Sequence, residues 1–158
     1  MWCIITARKG SERLKDKNIK KFINKPLIEW TYISTQNTLF DKVILSTDCD
    51  ECIQISKKYS HIECPFIRPK ELSTSEARSI DVVKHCLLYY KEINAELPNY
   101  VAILQPTTPQ RNCENINYLI NYIKTKPEIN GVSTFSYTNN NSNKMYKLSN
   151  NNNKIIKK

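Results

Sequence analysis

The sequence predicts an α/β protein with a mostly parallel sheet and helices on both faces of that sheet. Short apolar runs alternate with stretches of helical periodicity along most of the 158 residues, which is typical of parallel strands joined by crossover helices. The first run, residues 2–7, is apolar at five of its six positions, as expected for a strand that is buried on both faces. Polar loops follow several of these runs, at the edge where α/β sheets bind their ligands.

The elements of the first half of the chain can be assigned in order. A helix is predicted over 26–37, because Pro26 suits a first helical position and helical periodicity follows it. Asp48 or Asp50 can cap a second helix that runs to about residue 58. Besides the strand at 2–7, the apolar runs predict strands at 42–46, 62–67, 100–104 and 131–137.

Two longer helices are predicted in the second half. The helix over 112–124 has Asn112 as its cap and apolar residues at helical spacing on one face. The helix over 79–93 has a broader apolar face that includes Ile80, Val83, Leu87 and Tyr90.

A change of composition divides the chain at residue 138. Residues 1–138 carry the alternating pattern and are predicted to form one α/β domain. Residues 139–158 contain eight asparagines and five lysines with no acidic residue, which predicts a disordered tail.

The net charge of +9 is concentrated in two places. Residues 8–25 carry eight basic and two acidic side chains, and residues 139–158 add five lysines, whereas the segment between them is slightly acidic. A nucleic-acid-binding protein more often spreads its basic residues along one face, with aromatic residues between them. We therefore expect no nucleic-acid partner, although a basic nucleic-acid-binding protein is an alternative that the charge alone leaves open.

The loop after the first strand is the first candidate site. Arg8, Ser11, Arg13 and Lys17 can project from one loop that contains Gly10, one of only two glycines in the chain. Cations and backbone N–H groups at the carboxyl end of a strand are what a phosphate group requires. The Walker spacing is absent, so this is a phosphate loop of another kind. Residues 1–138 are therefore predicted to form a nucleotide-binding domain.

The loops after the other strands add further polar residues at the same edge. Ser46, Thr47 and Asp48 follow the second strand, and a Ser- and Thr-rich connection follows Arg68 after the third. After the fourth strand, two prolines are expected to make a rigid loop that holds Gln105 or Arg111 in place. Because the carboxyl ends of parallel strands meet at one edge, these groups are expected to surround one nucleotide.

The six cysteines favour a reducing compartment and no disulfide framework. Cys49 and Cys52 form a CxxC pair for which packing is the expected role, with a redox or metal role as the alternative. The chain has no apolar run of membrane-spanning length and no evident leader, so we expect a cytoplasmic protein that does not enter a membrane.

Four motifs resemble those of the acylneuraminate cytidylyltransferase (CMP-sialic acid synthetase) family. The family opens with A-R-x-G-S-x-R-[LI]-P-x-K-N, which residues 7–18 match as ARKGSERLKDKN, followed by a K-P-L-I match at 25–28. The other matches are S-T-D at 46–48, R-P-x-E-L at 68–72 and L-Q-P-T-T-P-x-R at 104–111. Together they cover about residues 3–137 in the family's order.

The resemblance implies a nucleotide-diphosphosugar transferase fold of the Rossmann-like kind, and a reaction of carbohydrate biosynthesis. CMP passes from CTP to an acidic nine-carbon sugar, pyrophosphate is released, and Mg²⁺ (or Mn²⁺) assists. By position, Arg8 and Lys17 are the catalytic residues and hold the triphosphate together with Ser11. The remaining nucleotide contacts are assigned to Arg13, Asn18, Arg68, Ala77 and Ser79, and Gln105 is assigned to the acceptor sugar.

The sequence also departs from the family pattern. Lys15 stands in place of a proline, and Glu12 stands where many relatives carry a lysine. Relatives have a D-x-D-type carboxylate pair for the metal and a segment used in dimerisation, both beyond the part that this chain matches. The alternative is therefore an inactive, truncated nucleotide-binding remnant of the family, and a homodimer is expected only if the dimerisation segment exists elsewhere. Sialic, legionaminic and pseudaminic acids are not separated by the sequence.

Overall fold

The computed structural model describes residues 1–12, 14–126, 128, 131, 146–148 and 155–157. The chain divides into two compact units, Met1–Lys126 and Pro127–Lys158. The first unit contains, in chain order, β1 (Trp2–Ala7), β2 (Lys21–Phe22), β3 (Lys25–Pro26), α1 (Leu27–Ser34), β4 (Lys42–Thr47), α2 (Asp50–Ser56), β5 (Ile62–Glu63), α3 (Ser79–Glu92), β6 (Val101–Leu104) and α4 (Cys113–Lys124).

Four strands of the first unit form one parallel sheet in the order β5-β4-β1-β6. β1 lies at its centre, with Ile4 opposite Ile44 of β4 and Ile103 of β6. Because all four strands run in the same direction, the loops that follow them emerge at one edge. Strands β2 and β3 form a separate antiparallel pair.

Helices cover both faces of the sheet, as predicted. One face packs against α1, α2 and α4 through residues such as Ile28, Cys52 and Ile120. The other packs against α3, where Val83 and Tyr90 meet Trp2 of β1. Side chains of β1 and β4 such as Ile4, Ile5, Ile44 and Leu45 are fully buried, and each stabilises the fold by about 1.5–3 kcal/mol.

The central strand and the last helix agree closely with the prediction. β1 spans the predicted residues 2–7. α4 is capped by Asn112, whose side-chain oxygen accepts a hydrogen bond of 2.9 Å from the backbone N–H of Asn115. Ile116 and Ile120 of α4 are buried, so the helical spacing identified the packed face correctly.

Three local predictions were wrong. α2 begins with Cys49 at its N-cap and no side-chain cap, so neither Asp48 nor Asp50 caps it. β5 has two residues instead of six, because Pro65 lacks the N–H that would continue the ladder. Ile80 is 49% exposed, because the first turn of α3 turns Ser79 and Val82 toward a cleft and Ile80 away from it.

The second unit contains an antiparallel pair formed by β7 (Tyr146–Leu148) and β8 (Ile155–Lys157). The strand predicted over 131–137 lies almost entirely outside the described residues, and so does most of the predicted tail over 139–158. The predicted division at residue 138 therefore stays a prediction. Among the described helices, none has both the length and the apolar character needed to cross a membrane.

Candidate functional site

A cleft of about 410 Å³ opens where the loops leave the carboxyl ends of the strands. Thr6 lies at the end of β1, Arg68 follows β5, and Gln105 follows β6, so the sheet order brings distant parts of the sequence together. The remaining lining residues are Arg8, Ser11, Glu12, Leu14, Lys17, Asn18, Leu72, Thr74, Ser75, Ala77, Ser79, Val82, Pro106 and Thr107.

The cleft gathers nearly every site residue that the sequence predicted. Arg13 lies outside the described residues, and all the others line the cleft. These are Arg8, Ser11, Lys17, Asn18, Arg68, Ala77, Ser79 and Gln105. Their convergence is a fact of the fold, whereas the role of each residue stays a prediction.

The first loop is held in shape by its own hydrogen bonds. Gly10 has a φ of +71°, a backbone conformation that favours glycine, and no atom of the described residues lies within 4 Å of the position that a side chain would take. Arg8 donates from Nη1 to the Gly10 carbonyl at 2.8 Å, and buried Asn18 donates from Nδ2 to the Arg8 carbonyl at 3.0 Å. The backbone N–H of Lys9 donates to Asp48 Oδ1 at 2.7 Å, which ties this loop to the end of β4.

Arg68 lines the cleft and is only 5% exposed. Its guanidinium donates from Nε to Ser46 Oγ at 3.1 Å and from Nη2 to the Ser46 carbonyl. Its backbone N–H donates to the Thr47 carbonyl at 2.8 Å. The pKa of Arg68 is lowered to about 10, mainly because the guanidinium is buried; the charge of Asp48 raises this pKa and the charge of Arg8 lowers it. The protein therefore holds a fixed cation at a considerable desolvation cost.

The cations of the cleft lack carboxylate partners within the described part of the chain. Arg8, Lys17 and Arg68 form no ion pair with any described residue. Asp48 raises the pKa of Arg68 and Arg8 lowers it, so Arg68 has one attractive and one repulsive charge nearby. Several cations without an ion pair among the described residues favour an anionic ligand in this cleft.

The loop after β6 positions Gln105 at the cleft wall. The side-chain Nε2 of Gln105 donates a hydrogen bond of 3.5 Å to Ser79 Oγ. Arg111 donates from Nη2 to the backbone carbonyl of Gln105 at 3.3 Å. Arg111 does not line the cleft, and burial lowers its pKa. Of the two residues that the rigid loop was expected to hold, Gln105 faces the ligand space and Arg111 supports the loop.

Several lining residues were not among the predicted site residues. Thr74, Ser75 and Thr107 add hydroxyl groups, and Leu14 and Leu72 add apolar surface. Their residue types are common in ordinary connections, so only their position at the sheet edge marks them. Glu12 is the one carboxylate among the described residues of the cleft.

The CxxC pair has the features of packed thiols. Cys49 and Cys52 are buried and free, and burial raises the pKa of both. A raised pKa keeps these thiols protonated and unreactive. Within the described residues, no three His, Cys, Asp or Glu side chains come together in a group that could hold a metal ion.

The fold and the cleft define an α/β protein with a cleft lined by several cations at the carboxyl edge of a parallel sheet. The family model described as "Cytidylyltransferase" matches residues 2–156. The chain belongs to the cytidylyltransferase family.

Three curated relatives of this chain are named for three different sugars. The chain is 39% identical over 111 residues to pseudaminic acid cytidylyltransferase of Campylobacter jejuni, covering 70% of this chain and 47% of that protein. It is 33% identical over 138 residues to N-acylneuraminate cytidylyltransferase of Escherichia coli, covering 86% and 31%. It is 30% identical over 135 residues to CMP-N,N'-diacetyllegionaminic acid synthase of Legionella pneumophila, covering 84% and 57%. The chain thus spans from 31% to 57% of the length of these relatives.

Solved structures support the fold assignment. A CMP:2-keto-3-deoxy-manno-octonic acid synthetase complexed with CTP matches with a TM-score of 0.59 and 19% identity, over 79% of this chain and 47% of that one. A cytidylyltransferase from Leptospira borgpetersenii matches with a TM-score of 0.56 and 18% identity, over 78% and 48%. The predicted nucleotide-diphosphosugar transferase fold is therefore confirmed.

Proposed function

We propose that this chain binds CTP in the cleft and transfers CMP to an acidic nine-carbon sugar, with release of pyrophosphate. The observation that carries the proposal is the set of uncompensated cations at the edge of the sheet, in a member of the cytidylyltransferase family. The relatives named for sialic, pseudaminic and legionaminic acids support an α-keto acid sugar as the acceptor.

The two sides of the cleft suit the two parts of the nucleotide. The first loop, with Arg8, Ser11 and Lys17 facing the cleft, would hold the triphosphate, and Arg13 belongs to the same loop. Asn18 and Arg68 are buried and fixed by hydrogen bonds, as groups that read a base and its sugar need to be. Ala77 and Ser79 would complete the cytidine contacts, and Gln105 would face the acceptor.

These residues would favour an in-line displacement at phosphorus. The anomeric oxygen of the sugar bonds to the α-phosphorus, the bond to the oxygen that bridges to the β-phosphorus breaks, and pyrophosphate leaves with that oxygen. The hydroxyl proton of the sugar passes to solvent. Negative charge grows on the departing pyrophosphate, where Lys17 and Arg8 would stabilise it.

A divalent ion, Mg²⁺ or Mn²⁺, is proposed to accompany the nucleotide. The described cleft offers one carboxylate, Glu12, and hydroxyl groups such as Ser11, which suits an ion held mostly by phosphate oxygens and water. When bound, the ion would neutralise charge on the phosphates.

A second candidate is a protein that binds CTP without turning it over. The specific observation in its favour is that Glu12 stands alone among the described lining residues as a carboxylate. A second carboxylate would normally help to hold the metal in phosphoryl transfer.

Pyrophosphate release tests the two candidates. The 158-residue chain is incubated with CTP, Mg²⁺ and, separately, N-acetylneuraminic, pseudaminic and legionaminic acid. If the chain transfers CMP, pyrophosphate should be released with at least one of the sugars. No pyrophosphate should be released when CTP is replaced by CMP. If calorimetry shows that CTP binds, but no pyrophosphate is released in the presence of any of the three sugars, the second candidate is favoured.

A further inference from the structure

The end of β4 connects two separate parts of the cleft wall. On one side, Ser46 accepts hydrogen bonds from the guanidinium of Arg68, through its hydroxyl at 3.1 Å and through its carbonyl. The backbone N–H of Arg68 also donates to the Thr47 carbonyl at 2.8 Å. On the other side, Asp48 Oδ1 accepts a hydrogen bond of 2.7 Å from the backbone N–H of Lys9 in the first loop. Three consecutive residues thus attach both Arg68 and the first loop to the sheet.

The register of the central strands explains why Asp48 reaches the first loop. β1 and β4 are parallel, with Ala7 opposite Thr47, so the chain leaves both strands side by side. Asp48 is half-buried and does not line the cleft itself. Any effect of its side chain on a ligand in the cleft would therefore pass through the residues that it contacts.

Asp48 does not serve the helix that follows it. The sequence predicted this residue as a possible cap of α2, but Cys49 is the N-cap and no side chain caps the helix. Asp48 forms no ion pair with a described residue either. Its carboxylate is a charged acceptor for a backbone N–H, which makes a stronger hydrogen bond than a neutral acceptor would. This hydrogen bond to Lys9 is the specific contact that the side chain makes with the first loop.

We propose that Asp48 is a positioning residue for nucleotide binding, which holds the first loop at a fixed distance from Arg68 through its hydrogen bond to Lys9. The inference rests on the proposed binding of CTP in this cleft. In that binding, Arg8 and Lys17 of the first loop hold the phosphates while Arg68 contacts the cytidine. One nucleotide reaches both sides only if their separation matches its length, so a loop that is free to shift holds the phosphates less well.

Calorimetric titration of CTP and of CMP into variants of the 158-residue chain, all with Mg²⁺, tests the assignment. Asp48→Ala removes the acceptor and should weaken CTP binding by about tenfold or more, as the loss of a charge-assisted hydrogen bond does. CMP binding should weaken clearly less, because CMP offers the loop one phosphate instead of three. Asp48→Asn keeps an acceptor oxygen and should restore most of the affinity for CTP. A role in general stability alone would not change the ratio of the two affinities.

Asp48→Glu separates the position of the oxygen from its charge. This variant keeps the charge but moves the carboxylate by one methylene group, so it should resemble Asp48→Ala in its affinities. It also provides the test if Asp48→Ala does not fold.

Asp50→Ala is the matched control. Asp50 is exposed in the first turn of α2 and does not line the cleft. Removal of the same side chain two residues further along should leave the affinities for CTP and CMP unchanged.

Amide hydrogen exchange at Lys9, followed by nuclear magnetic resonance, examines the contact without any nucleotide. The Lys9 N–H should exchange about tenfold faster in Asp48→Ala than in the unmodified chain, and Asp48→Asn should restore most of its protection. Equal exchange in all three proteins would show that the hydrogen bond does not hold the loop, and would overturn the assignment.

The titrations can overturn the assignment in distinguishable ways. If Asp48→Ala and Asp48→Glu bind CTP as tightly as the unmodified chain, the assignment is wrong while the proposed function stands. Tighter CTP binding by both Asp48→Ala and Asp48→Asn would mean that Asp48 only repels the phosphates. Equal losses for CTP and CMP would assign Asp48 to general stability. If CTP does not bind to the unmodified chain, the proposed function fails and the assignment fails with it.

Discussion

The two ends of the parallel sheet differ in how their charges are compensated. At the amino end, charged groups pair with one another or with aromatic rings. At the carboxyl end, the cations that line the cleft have no carboxylate partner among the described residues. Both ends belong to the same strands and have the same core between them, so the contrast is not a consequence of the fold itself.

The amino end is a compensated network. Lys42 Nζ lies 3.1 Å from Glu63 Oε1 and 5.5 Å from the centre of the Tyr90 ring, and Tyr90 donates its hydroxyl to Glu63 Oε2 at 2.6 Å. The amino group of Met1 pairs with Asp41. These contacts stabilise the fold, and each of these charges has a partner within the protein.

At the carboxyl end, by contrast, the cations of the cleft form no ion pair among the described residues. Arg68 is buried with two hydrogen bonds to Ser46, and its charge is attracted by Asp48 and repelled by Arg8. An anion that binds only the folded protein would stabilise it further. The carboxyl edge is therefore distinguished by cations that form no ion pair among the described residues, and not by the number of its charges.

The largest effect is expected for Lys17→Met, which removes a cation from the cleft. If Lys17 stabilises the departing pyrophosphate, the rate of pyrophosphate release should fall by about 10²–10³-fold. The melting temperature should hardly change, since Lys17 has no ion pair to lose within the described residues. Steady-state kinetics and a thermal melt give the two values.

Lys15→Met is the matched control for that variant. Lys15 is exposed in the same loop and does not line the cleft. Equal losses of rate in both variants would mean that the loop acts only through its total charge.

The second prediction contrasts the two ends directly. Arg68→Met should weaken CTP binding by roughly 10- to 100-fold, because charge-assisted hydrogen bonds are worth about 1.5–3 kcal/mol. The stability of the ligand-free protein should change little, because the desolvation cost of a buried charge is removed together with its hydrogen bonds to Ser46. Calorimetric titration and chemical denaturation are the measurements.

Lys42→Met, at the amino end, should show the opposite pattern. It should leave CTP binding unchanged and lower the free energy of unfolding by about 0.5–1 kcal/mol, through loss of the ion pair and the ring contact. A stability loss in Arg68→Met that exceeds the loss in Lys42→Met would contradict the contrast between the two ends.

The third prediction concerns the backbone of the phosphate loop. Gly10→Ala places a side chain at a φ of +71°, which should cost about 1–2 kcal/mol or reshape the loop and weaken CTP binding. Gly131→Ala is the control, since Gly131 has no positive φ and no atom of the described residues within 4 Å of the position that a side chain would take. Denaturation and CTP titration of both variants check this, and equal effects would show that the conformation of Gly10 is unimportant.

The smallest effect is a pH dependence away from the cleft. His61 accepts or donates a 3.0 Å hydrogen bond with Thr35 Oγ1, and burial lowers its pKa below the ordinary value of about 6.5. The unfolded chain then takes up the proton first, so the free energy of unfolding should fall as the pH drops below about 6.5. Thermal melts between pH 7.5 and 5.5 should show a smaller decrease in His61→Gln, and identical slopes would refute the assignment to His61.

The sequence predicted the buried elements better than the edges. β1 and α4 were assigned correctly because continuous apolar residues or helical spacing with Asn112 as cap leave few alternatives. β2 and β3 were missed because strands of two residues carry no periodicity. The first turn of α3 was misjudged at Ile80 because spacing alone does not reveal that a cleft replaces the sheet there.

The candidate site was predicted residue by residue only where motifs mark it. Arg8, Lys17 and Gln105 were found through the family motifs and through the rule that parallel strands share one edge. The burial of Arg68 on Ser46, and the role of Asn18 in holding Arg8, could not be predicted, because both depend on contacts between distant segments.

If the cleft recognises the phosphates of a cytidine nucleotide, affinity should increase with the number of phosphates. The decisive measurement is the stability of the chain in thermal melts with cytidine, CMP, CDP and CTP, all at the same concentration, in the presence of Mg²⁺. Stabilisation should grow with each phosphate and reach about 2.7 kcal/mol for CTP when that concentration is a hundredfold excess over the dissociation constant of CTP. Equal stabilisation by cytidine and CTP, or none by CTP, would contradict recognition of the phosphates.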